Sequence, residues 1–216
     1  MSAREQILAR IRERQGKGAA PEPAELEAVR GHIAAHPRSP APREAWEPLA
    51  RFRERALALA STCEDALAMT DVPALVGRYL TERSLPMRAV CWRELAELDW
   101  QRCGIEIETR SARGDDLVGI TSAYCAIAET GTLMTLSGAQ TPPSVSLLPE
   151  THIAVLHKSR VVRSMEEAWQ RLRDEERDMP RAVSFISGPS RTADIEQTVT
   201  LGAHGPYRVH IILVAD

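Results

Sequence analysis

The C-terminal third of the chain alternates between strand-like and helix-like segments, and this alternation restricts the fold more than any other feature. Residues 152–157, 181–188 and 206–214 are apolar and rich in β-branched side chains, which is typical of buried strands. Between them, residues 164–177 and 190–199 have helical patterns. Strands of one sheet that are separated by helices are joined by crossovers and pair in parallel. The sequence therefore predicts an α/β fold with a mostly parallel central sheet and flanking helices.

The middle of the chain adds further elements to this pattern. Apolar residues recur at helical spacing over residues 46–60 and 72–80. Four short runs are predicted to be strands: 86–92, 104–110, 117–121 and 133–137. The residues between the last two runs have no clear period, and we predict a short helical or irregular piece there.

The first 42 residues differ in composition from the rest of the chain. Five of the 14 prolines lie between Pro21 and Pro42, and prolines at this density are typical of a connector. Two short helices are predicted in this part, one near the N-terminus and one over residues 24–35. We therefore predict an N-terminal helical extension with a Pro-rich connector over residues 1–42, followed by one α/β domain over residues 43–216.

The composition restricts the partners and the location of the protein. Hydrophobic residues make up 44% of the chain and charged residues 26%, which is typical of a globular protein. The net charge of −3, without a long basic run, argues against nucleic acid as a partner. No apolar segment approaches the roughly 18 residues of a membrane span, and the N-terminus lacks the apolar centre of a secretory signal. We expect a cytoplasmic protein.

The four cysteines lack the spacing of a metal site. Cys63, Cys91, Cys103 and Cys125 form no CxxC pair, and no histidine follows them at ligand spacing. The six histidines also lack an HExxH motif. We expect no metal and no iron–sulfur cluster in this chain, and we interpret the cysteines as small buried apolar residues.

The motif SGPSRTAD combines a glycine turn with the start of the predicted helix at residue 190. Gly188 and Pro189 allow a turn after the strand, and Ser190 or Thr192 is suited to cap the helix. Asp194 favours the positive end of the helix dipole. The backbone N–H groups of such a turn also suit a phosphate or carboxylate. The motif is therefore either an anion site or a plain helix start.

The motif AETGT carries a candidate catalytic carboxylate. Glu129 lies between an apolar stretch and a turn at Gly131, so it is expected to be partly desolvated. Such a carboxylate suits a general base or a nucleophile, and the hydroxyl groups of Thr130 and Thr132 are placed to orient it or to contact a substrate. The structural alternative is a glutamate that accepts backbone hydrogen bonds and holds the turn.

The third candidate is His204, which lies between two glycines just before the last predicted strand. A histidine on such a turn is expected to be exposed. It is suited to bind an anion or to act as an acid or base, and the structural alternative is that it only fills the turn.

Four motifs occur together in one order: GITSAYCAIAETGTL, SLLPETHIAVL, SGPSRTADIE and GAHGPYRVHIIL. With this order and spacing, residues 86–214 resemble the LUD domain family, and within it the C subunits of bacterial lactate-utilisation systems. The resemblance implies a fold related to the CoA-transferase and ribose-phosphate-isomerase group. It carries over no catalytic residue, so the residues above stay candidates on their own chemistry.

The resemblance also implies a function and partners. It implies a cluster-free subunit that takes part, with iron–sulfur partner proteins, in oxidation of L-lactate to pyruvate. Such a subunit would bind a small carboxylate or phosphate ligand or organise its partners. Two alternatives stay open. One is a stand-alone transferase or isomerase that uses Glu129 as nucleophile or base, and the other is a regulatory module that senses an anion.

Overall fold

The computed structural model describes residues 2–18, 20–38, 40, 45–175, 178–192 and 200–216. The chain divides into two compact units, Met1–Arg43 and Glu44–Asp216. The first unit contains helices α1 (Ala3–Arg14) and α2 (Pro23–Ala35). Among the helices that the structure describes, none has the length and apolar character needed to cross a membrane.

The second unit contains the remaining elements. Its helices are α3 (Pro48–Ala58), α4 (Val72–Glu82), α5 (Ser144–Leu147) and α6 (Met165–Glu175). Its strands are β1 (Thr62–Ala66), β2 (Arg88–Cys91), β3 (Glu106–Glu108), β4 (Val118–Ser122), β5 (Cys125–Ile127), β6 (Thr132–Leu136), β7 (Thr151–His157), β8 (Val161–Val162), β9 (Val183–Ile186), β10 (Arg191–Thr192), β11 (Thr200–Leu201) and β12 (Arg208–Val214).

The central sheet has six strands in the order β1-β12-β7-β4-β2-β3, and every neighbouring pair in it is parallel. Strand β7 is buried from Thr151 to Leu156 because both faces of the sheet are covered. This explains its unbroken apolar sequence. The predicted α/β fold with a central parallel sheet and flanking helices is confirmed, whereas the relation to the CoA-transferase group stays a prediction.

Helices cover the two faces of the central sheet. On one face, α4 packs Val76 and Leu80 against Ile120 and Ile153 of the sheet. On the other face, α3 packs Phe52 and Ala56 against the sheet. The apolar residues of both helices recur every three or four positions, so each helix buries one side and exposes the other.

A second, smaller sheet has the order β8-β5-β6-β9. The chain reaches it by two short crossings from the central sheet, one between the end of β4 at Ser122 and Cys125, and one between the end of β7 at His157 and Val161. One face of the small sheet packs with α3. Its other face packs with α6 through Ala168 and Leu172. The small sheet is therefore a separate layer between α3 and α6.

The small sheet corrects two expectations. The segment between β4 and β6, predicted to be helical or irregular, is the strand β5, which pairs antiparallel with β6. The strand predicted over residues 181–188 is present as β9, but it pairs antiparallel with β6 and does not join the parallel sheet. Alternation of strands and helices along the chain does not distinguish one sheet from two.

Candidate functional site

A cleft of about 590 Å³ lies at the carboxyl ends of the parallel strands. Residues at or just beyond the ends of β2, β4 and β7 line it, among them Trp92, Ser122 and His157. Ligands of open α/β sheets collect at this edge because the loops that follow the strands converge there. The volume lies within the range of ligand pockets. This cleft is therefore the candidate functional site.

Arg160 gives one part of the cleft lining a positive charge. Its Nη1 donates a hydrogen bond of 2.6 Å to Oε2 of Glu175. The same carboxylate accepts hydrogen bonds of 2.8 Å from Arg171 Nε and from the Tyr124 hydroxyl. Burial raises the pKa of Glu175, but these three hydrogen bonds together outweigh burial and lower it to about 2. Two guanidinium groups thus share one carboxylate, and the cluster keeps a net positive charge.

Tyr124 lines the cleft beside Arg160. The Arg160 guanidinium lies 5.5 Å from the centre of the Tyr124 ring, a cation–π contact. Burial, and then the neighbouring Glu175 carboxylate, raise the pKa of Tyr124 well above its usual value. Its phenol therefore stays protonated and acts as a hydrogen-bond donor.

Glu94 and Ser122 form a second polar part of the lining. Ser122 is the last residue of β4, and Glu94 lies on a 3₁₀ turn that follows β2. The Ser122 hydroxyl donates to a carboxylate oxygen of Glu94. Because β2 and β4 are neighbours in the sheet, parallel pairing brings these residues together although 28 positions separate them. The pair offers a hydroxyl group and a proton acceptor to a bound ligand.

The last residue of the sequence orders the turn that carries Arg160. Asp216 accepts a hydrogen bond of 2.9 Å from the Ser159 N–H and one of 2.5 Å from the Ser159 hydroxyl. The other nearby group is His157, whose Nδ1 lies 3.8 Å from Asp216 Oδ1. These contacts hold the turn over residues 158–160 directly after β7, at the edge of the cleft.

The Glu129 turn lies elsewhere, against helix α3. Glu129 is half-buried, and its N–H donates to the Arg163 carbonyl oxygen at 3.0 Å. Gly131 has a φ of +70°, and a Cβ atom there would lie 2.6 Å from the backbone nitrogen of Ala56 in α3. The glycine is therefore required by the close approach of the turn to the helix backbone. Glu129 does not line the cleft.

The Gly188 turn packs against the end of the same helix. Gly188 has a φ of +76°, and a Cβ atom there would lie 2.4 Å from the Leu59 carbonyl oxygen. Pro189 is buried, and the Ser190 N–H donates to the Pro206 carbonyl oxygen at 2.9 Å. The Ser190 N–H, which the sequence offered to an anion, thus has a backbone acceptor.

The helix predicted from residue 190 does not begin there. Strand β10 contains Arg191 and Thr192, and it pairs antiparallel with β11. Extended backbone at Arg191 and Thr192 excludes a helical first turn directly after Ser190, so Ser190 is not its cap. A cap at Thr192 would belong to a helix that begins beyond residue 192. The prediction for Asp194 and the rest of this helix lies outside the described residues.

His204 is exposed and packs beside the Gly188 turn. Its N–H donates to the Ser190 hydroxyl at 3.3 Å. At the neighbouring Gly205, a Cβ atom would lie 3.3 Å from Ser190 Cβ. The loop therefore sits close to Ser190.

The three glycine turns are linked to one another by side-chain contacts. Thr130 and Thr132 share a hydrogen bond of 2.7 Å between their hydroxyl groups, and Thr132 and Ser187 share one of 2.6 Å. Ser190 continues the chain of contacts to His204. The turns thus come together near the C-terminal half of α3, but none of these residues lines the cleft.

Sequence reasoning missed the cleft residues Ser122, Tyr124 and Arg160. A signal for them was present, because each follows a strand that the sequence predicts, at 117–121 or 152–157. The rule that ligands bind at carboxyl ends of parallel strands selects these positions. The glycine motifs instead led to the turns at Gly131 and Gly188, where glycine is needed for close packing against α3 and Leu59.

The cysteines and histidines do not form a metal site in the part of the chain that the structure describes, where no group of three or more ligating residues comes together. All four cysteines are free thiols. Burial raises the pKa of Cys91 and of Cys125 to about 12, and that of Cys63 to about 11. Thiols with such pKa values are poor nucleophiles and poor metal ligands.

Comparison with known proteins gives the relationship of this chain. The LUD domain family matches residues 81–214. The chain is similar to Lactate utilization protein C of an Exiguobacterium species, with 35% identity over 162 residues that cover 71% of this chain and 70% of that protein. It is also similar to the proteins of the same name from Halalkalibacterium halodurans, 44% identical over 103 residues, and Bacillus subtilis, 40% identical over 102 residues. These two alignments cover 46% of this chain, and 44% and 42% of the respective relatives.

A solved structure has the same fold. It is the crystal structure of a DUF162 family protein from Deinococcus radiodurans, with a TM-score of 0.58 and 22% sequence identity. The match covers 80% of this chain and 99% of that protein. The sequence match over more than half of the chain and the shared fold lead to one conclusion: this chain belongs to the LUD domain family.

Proposed function

We propose that this chain is a subunit of a bacterial lactate-utilisation system and that it binds a small hydroxy- or keto-carboxylate in the cleft. The name that relatives with 35–44% identity share supports the physiological part of the proposal. The observation that carries the ligand class is the Arg160 cluster, in which two guanidinium groups share the Glu175 carboxylate. The net positive charge of this cluster favours an anion, and the carboxylates of Glu94 and Asp178 in the same lining limit the favourable position to the side of Arg160.

The polar lining of the cleft fits the two functional groups of lactate. A carboxylate suits the guanidinium of Arg160, which has further N–H donors beyond the one that Glu175 accepts from, whereas the single hydroxyl proton of Tyr124 is donated to Glu175. An α-hydroxyl group suits the pair formed by Ser122 and Glu94, because it can donate its proton to the second carboxylate oxygen of Glu94. The volume of about 590 Å³ exceeds what a three-carbon acid needs, so the cleft leaves room for a group that a partner protein supplies.

The redox step is assigned to partner proteins. Oxidation of L-lactate to pyruvate releases two electrons and two protons, which an acceptor must take up. The proposal places iron–sulfur clusters in the partners, because the cysteines of this chain are spread over different elements and burial raises the pKa of Cys63, Cys91 and Cys125. This subunit then binds the carboxylate or organises the partners around it.

Growth on L-lactate tests the physiological part. A strain that lacks this gene should fail to grow on L-lactate as its carbon source and grow normally on pyruvate. The gene in trans should restore growth, and affinity purification of the protein should recover iron–sulfur proteins. Normal growth of the deletion strain on L-lactate would contradict the proposal.

Thermal unfolding with added ligands tests the ligand class. L-lactate or pyruvate should raise the melting temperature in a concentration-dependent way. A ligand at about 100 times its Kd stabilises the folded state by roughly 2.7 kcal/mol. Acetamide, which is similar in size but neutral, is the control and should have no effect. A lack of any shift with both acids would remove the cleft proposal while leaving the growth result to be judged separately.

The transferase or isomerase alternative receives less support. Glu129, its proposed nucleophile or base, does not line the cleft, and Gly131 beside it packs against α3. A thioester between the Glu129 carboxyl group and CoA, formed from an acyl-CoA with release of the free carboxylic acid, detected by mass spectrometry and absent in Glu129→Gln, would favour this alternative.

A further inference from the structure

Apolar side chains form one side of the cleft. Among the residues that line it, Met69, Leu95 and Val155 belong to one packed cluster between α4 and the central sheet. Leu95 and Val155 are almost fully buried, and Met69 is partly buried. We call these three residues the apolar wall. Neither a carboxylate at Arg160 nor a hydroxyl group at Ser122 uses this wall, so it is left for another part of a ligand.

The apolar wall lies next to the polar pair of the cleft. Ser122 and Val155 are direct partners in the pairing of β4 with β7, so their side chains project from the same face of the sheet. Leu95 follows Glu94 in the 3₁₀ turn after β2, and Met69 begins the 3₁₀ turn after β1. A ligand whose hydroxyl group lies at the polar pair therefore has the apolar wall beside its carbon chain.

The cleft is large for lactate. Its volume of about 590 Å³ lies in the range of pockets that hold drug-sized ligands, whereas the only apolar group of lactate is a methyl group. A methylene group that leaves water and contacts apolar side chains lowers the free energy of binding. A second carboxylate would instead meet the negative charges of Glu94 and Asp178, which also line the cleft. The lining therefore favours an uncharged apolar chain beyond the carbon that carries the hydroxyl group.

We infer that the cleft binds α-hydroxy acids with apolar side chains longer than that of lactate, and binds them more tightly than lactate. The carboxylate lies at Arg160, the hydroxyl group at the pair of Ser122 and Glu94, and the alkyl chain along the apolar wall. This inference rests on the proposed binding of a hydroxy acid in the cleft. It extends the ligand class to the 2-hydroxy derivatives of short fatty acids, such as 2-hydroxybutyrate and 2-hydroxypentanoate.

Isothermal titration of the whole protein with a series of acids gives the first test. The series is L-lactate, L-2-hydroxybutyrate and L-2-hydroxypentanoate, in which each acid has one methylene group more than the one before. The Kd should fall about 4-fold with each methylene group and roughly 15-fold over the series. L-malate, in which a carboxylate extends the chain, is the charged control and should bind more weakly than L-lactate.

Two methionine variants place the alkyl chain at the apolar wall. In Met69→Ala the roughly 15-fold ratio between the Kd of L-lactate and that of L-2-hydroxypentanoate should fall to about 5-fold or less, because the longer chain loses contacts. Met87→Ala is the matched control, since Met87 is partly buried against the same apolar cluster but does not line the cleft. It should keep the wild-type ratio. A ratio within one variant cancels changes that affect both acids equally.

The outcomes separate this inference from the proposed function. If L-lactate binds and the longer acids bind equally or more weakly, the inference is overturned and the proposed ligand class stands. If the longer acids bind more tightly but the ratio is the same in Met69→Ala and the wild type, the chain lies away from the apolar wall and the inference is overturned as well. If none of the acids binds, the proposed ligand class fails, and the inference fails with it.

Discussion

The hydroxyl oxygens of Thr132 and Ser187 lie 2.6 Å apart and join two turns that are 55 positions apart in the sequence. Thr132 begins β6, and Ser187 follows β9, its antiparallel neighbour. Thr132 is buried, and its hydroxyl has a second partner in Thr130. The contact joins the start of β6 to the end of β9, at the end of the small sheet opposite Leu136.

This pair should show a measurable coupling energy. Thr132→Val and Ser187→Ala each remove one hydroxyl group, and the two changes in the free energy of unfolding should not add. A neutral hydrogen bond contributes about 1 kcal/mol, so the double-mutant cycle should give a coupling of that size. Urea denaturation of the wild type, both single variants and the double variant measures it. Additive effects would show that the contact contributes nothing.

Gly131→Ala should destabilise the fold strongly. Alanine costs about 1 kcal/mol at a positive φ, and here its Cβ would also meet the α3 backbone at 2.6 Å. We expect a total loss of roughly 3 kcal/mol or more. Gly104 is the matched control, because its φ is +69° but a Cβ there would meet nothing within 4 Å. Gly104→Ala should therefore lose only about 1 kcal/mol. Equal losses for both variants, measured by urea denaturation, would contradict this assignment.

Arg160→Ala should weaken binding of the proposed carboxylate ligand. Loss of a hydrogen bond to a charged group costs about 1.5–3 kcal/mol, so the Kd should rise by roughly 10- to 150-fold. Arg171→Ala is the matched control, since Arg171 donates to the same Glu175 carboxylate but does not line the cleft. Both variants remove one positive charge, and the difference between them measures direct contact. Isothermal titration with L-lactate or pyruvate gives both values, and equal losses would place the ligand away from Arg160.

The folded state should lose stability as the pH falls from 6.5 towards 4. His152 is fully buried, and burial lowers its pKa from 6.5 to about 4. Between these values the unfolded chain binds more protons than the folded one, so the free energy of unfolding decreases with decreasing pH. Titration of His152 should lower the free energy of unfolding by roughly 3 kcal/mol between neutral pH and pH 4.

Substitution of the buried histidine isolates this effect from the titration of carboxylates. His152→Gln should show a weaker pH dependence than the wild type in urea denaturation at pH 7, 6, 5 and 4.5. His204→Gln, at an exposed histidine, should keep the wild-type dependence. The same pH dependence in His152→Gln and the wild type would mean that His152 does not titrate between the two states.

The elements that the sequence predicts well are those in which the pattern of apolar residues along the chain matches the pattern of burial. Strand β7 is covered on both faces and is apolar throughout, and α4 repeats its apolar residues at helical spacing. Strand β5 has three residues, too few for a period, and its pairing with β6 is decided by tertiary packing. The sequence also does not predict that β9 belongs to a second sheet, because its pairing with β6 is decided by tertiary packing as well.

The glycine turns were predicted as turns, but their surroundings were not. Gly131 and Gly188 each mark a positive φ, as a turn after a strand requires. The sequence does not say what approaches such a turn, because the partner backbone belongs to α3 and its C-cap Leu59, more than 70 positions away. The cleft residues Ser122 and Arg160 lack any local motif and become a site only when parallel strands end side by side.

The two short crossings between the sheets connect the geometry of the cleft to the relative position of the sheets. Tyr124 lies in the crossing that follows β4, and Arg160 lies in the one that follows β7. Two residues that line the cleft therefore lie in the segments that connect the small sheet to the central sheet. A ligand bound as proposed between Tyr124 and Arg160 would contact both connecting segments, so a partner protein that changed the spacing of the two sheets would also change the geometry of the site.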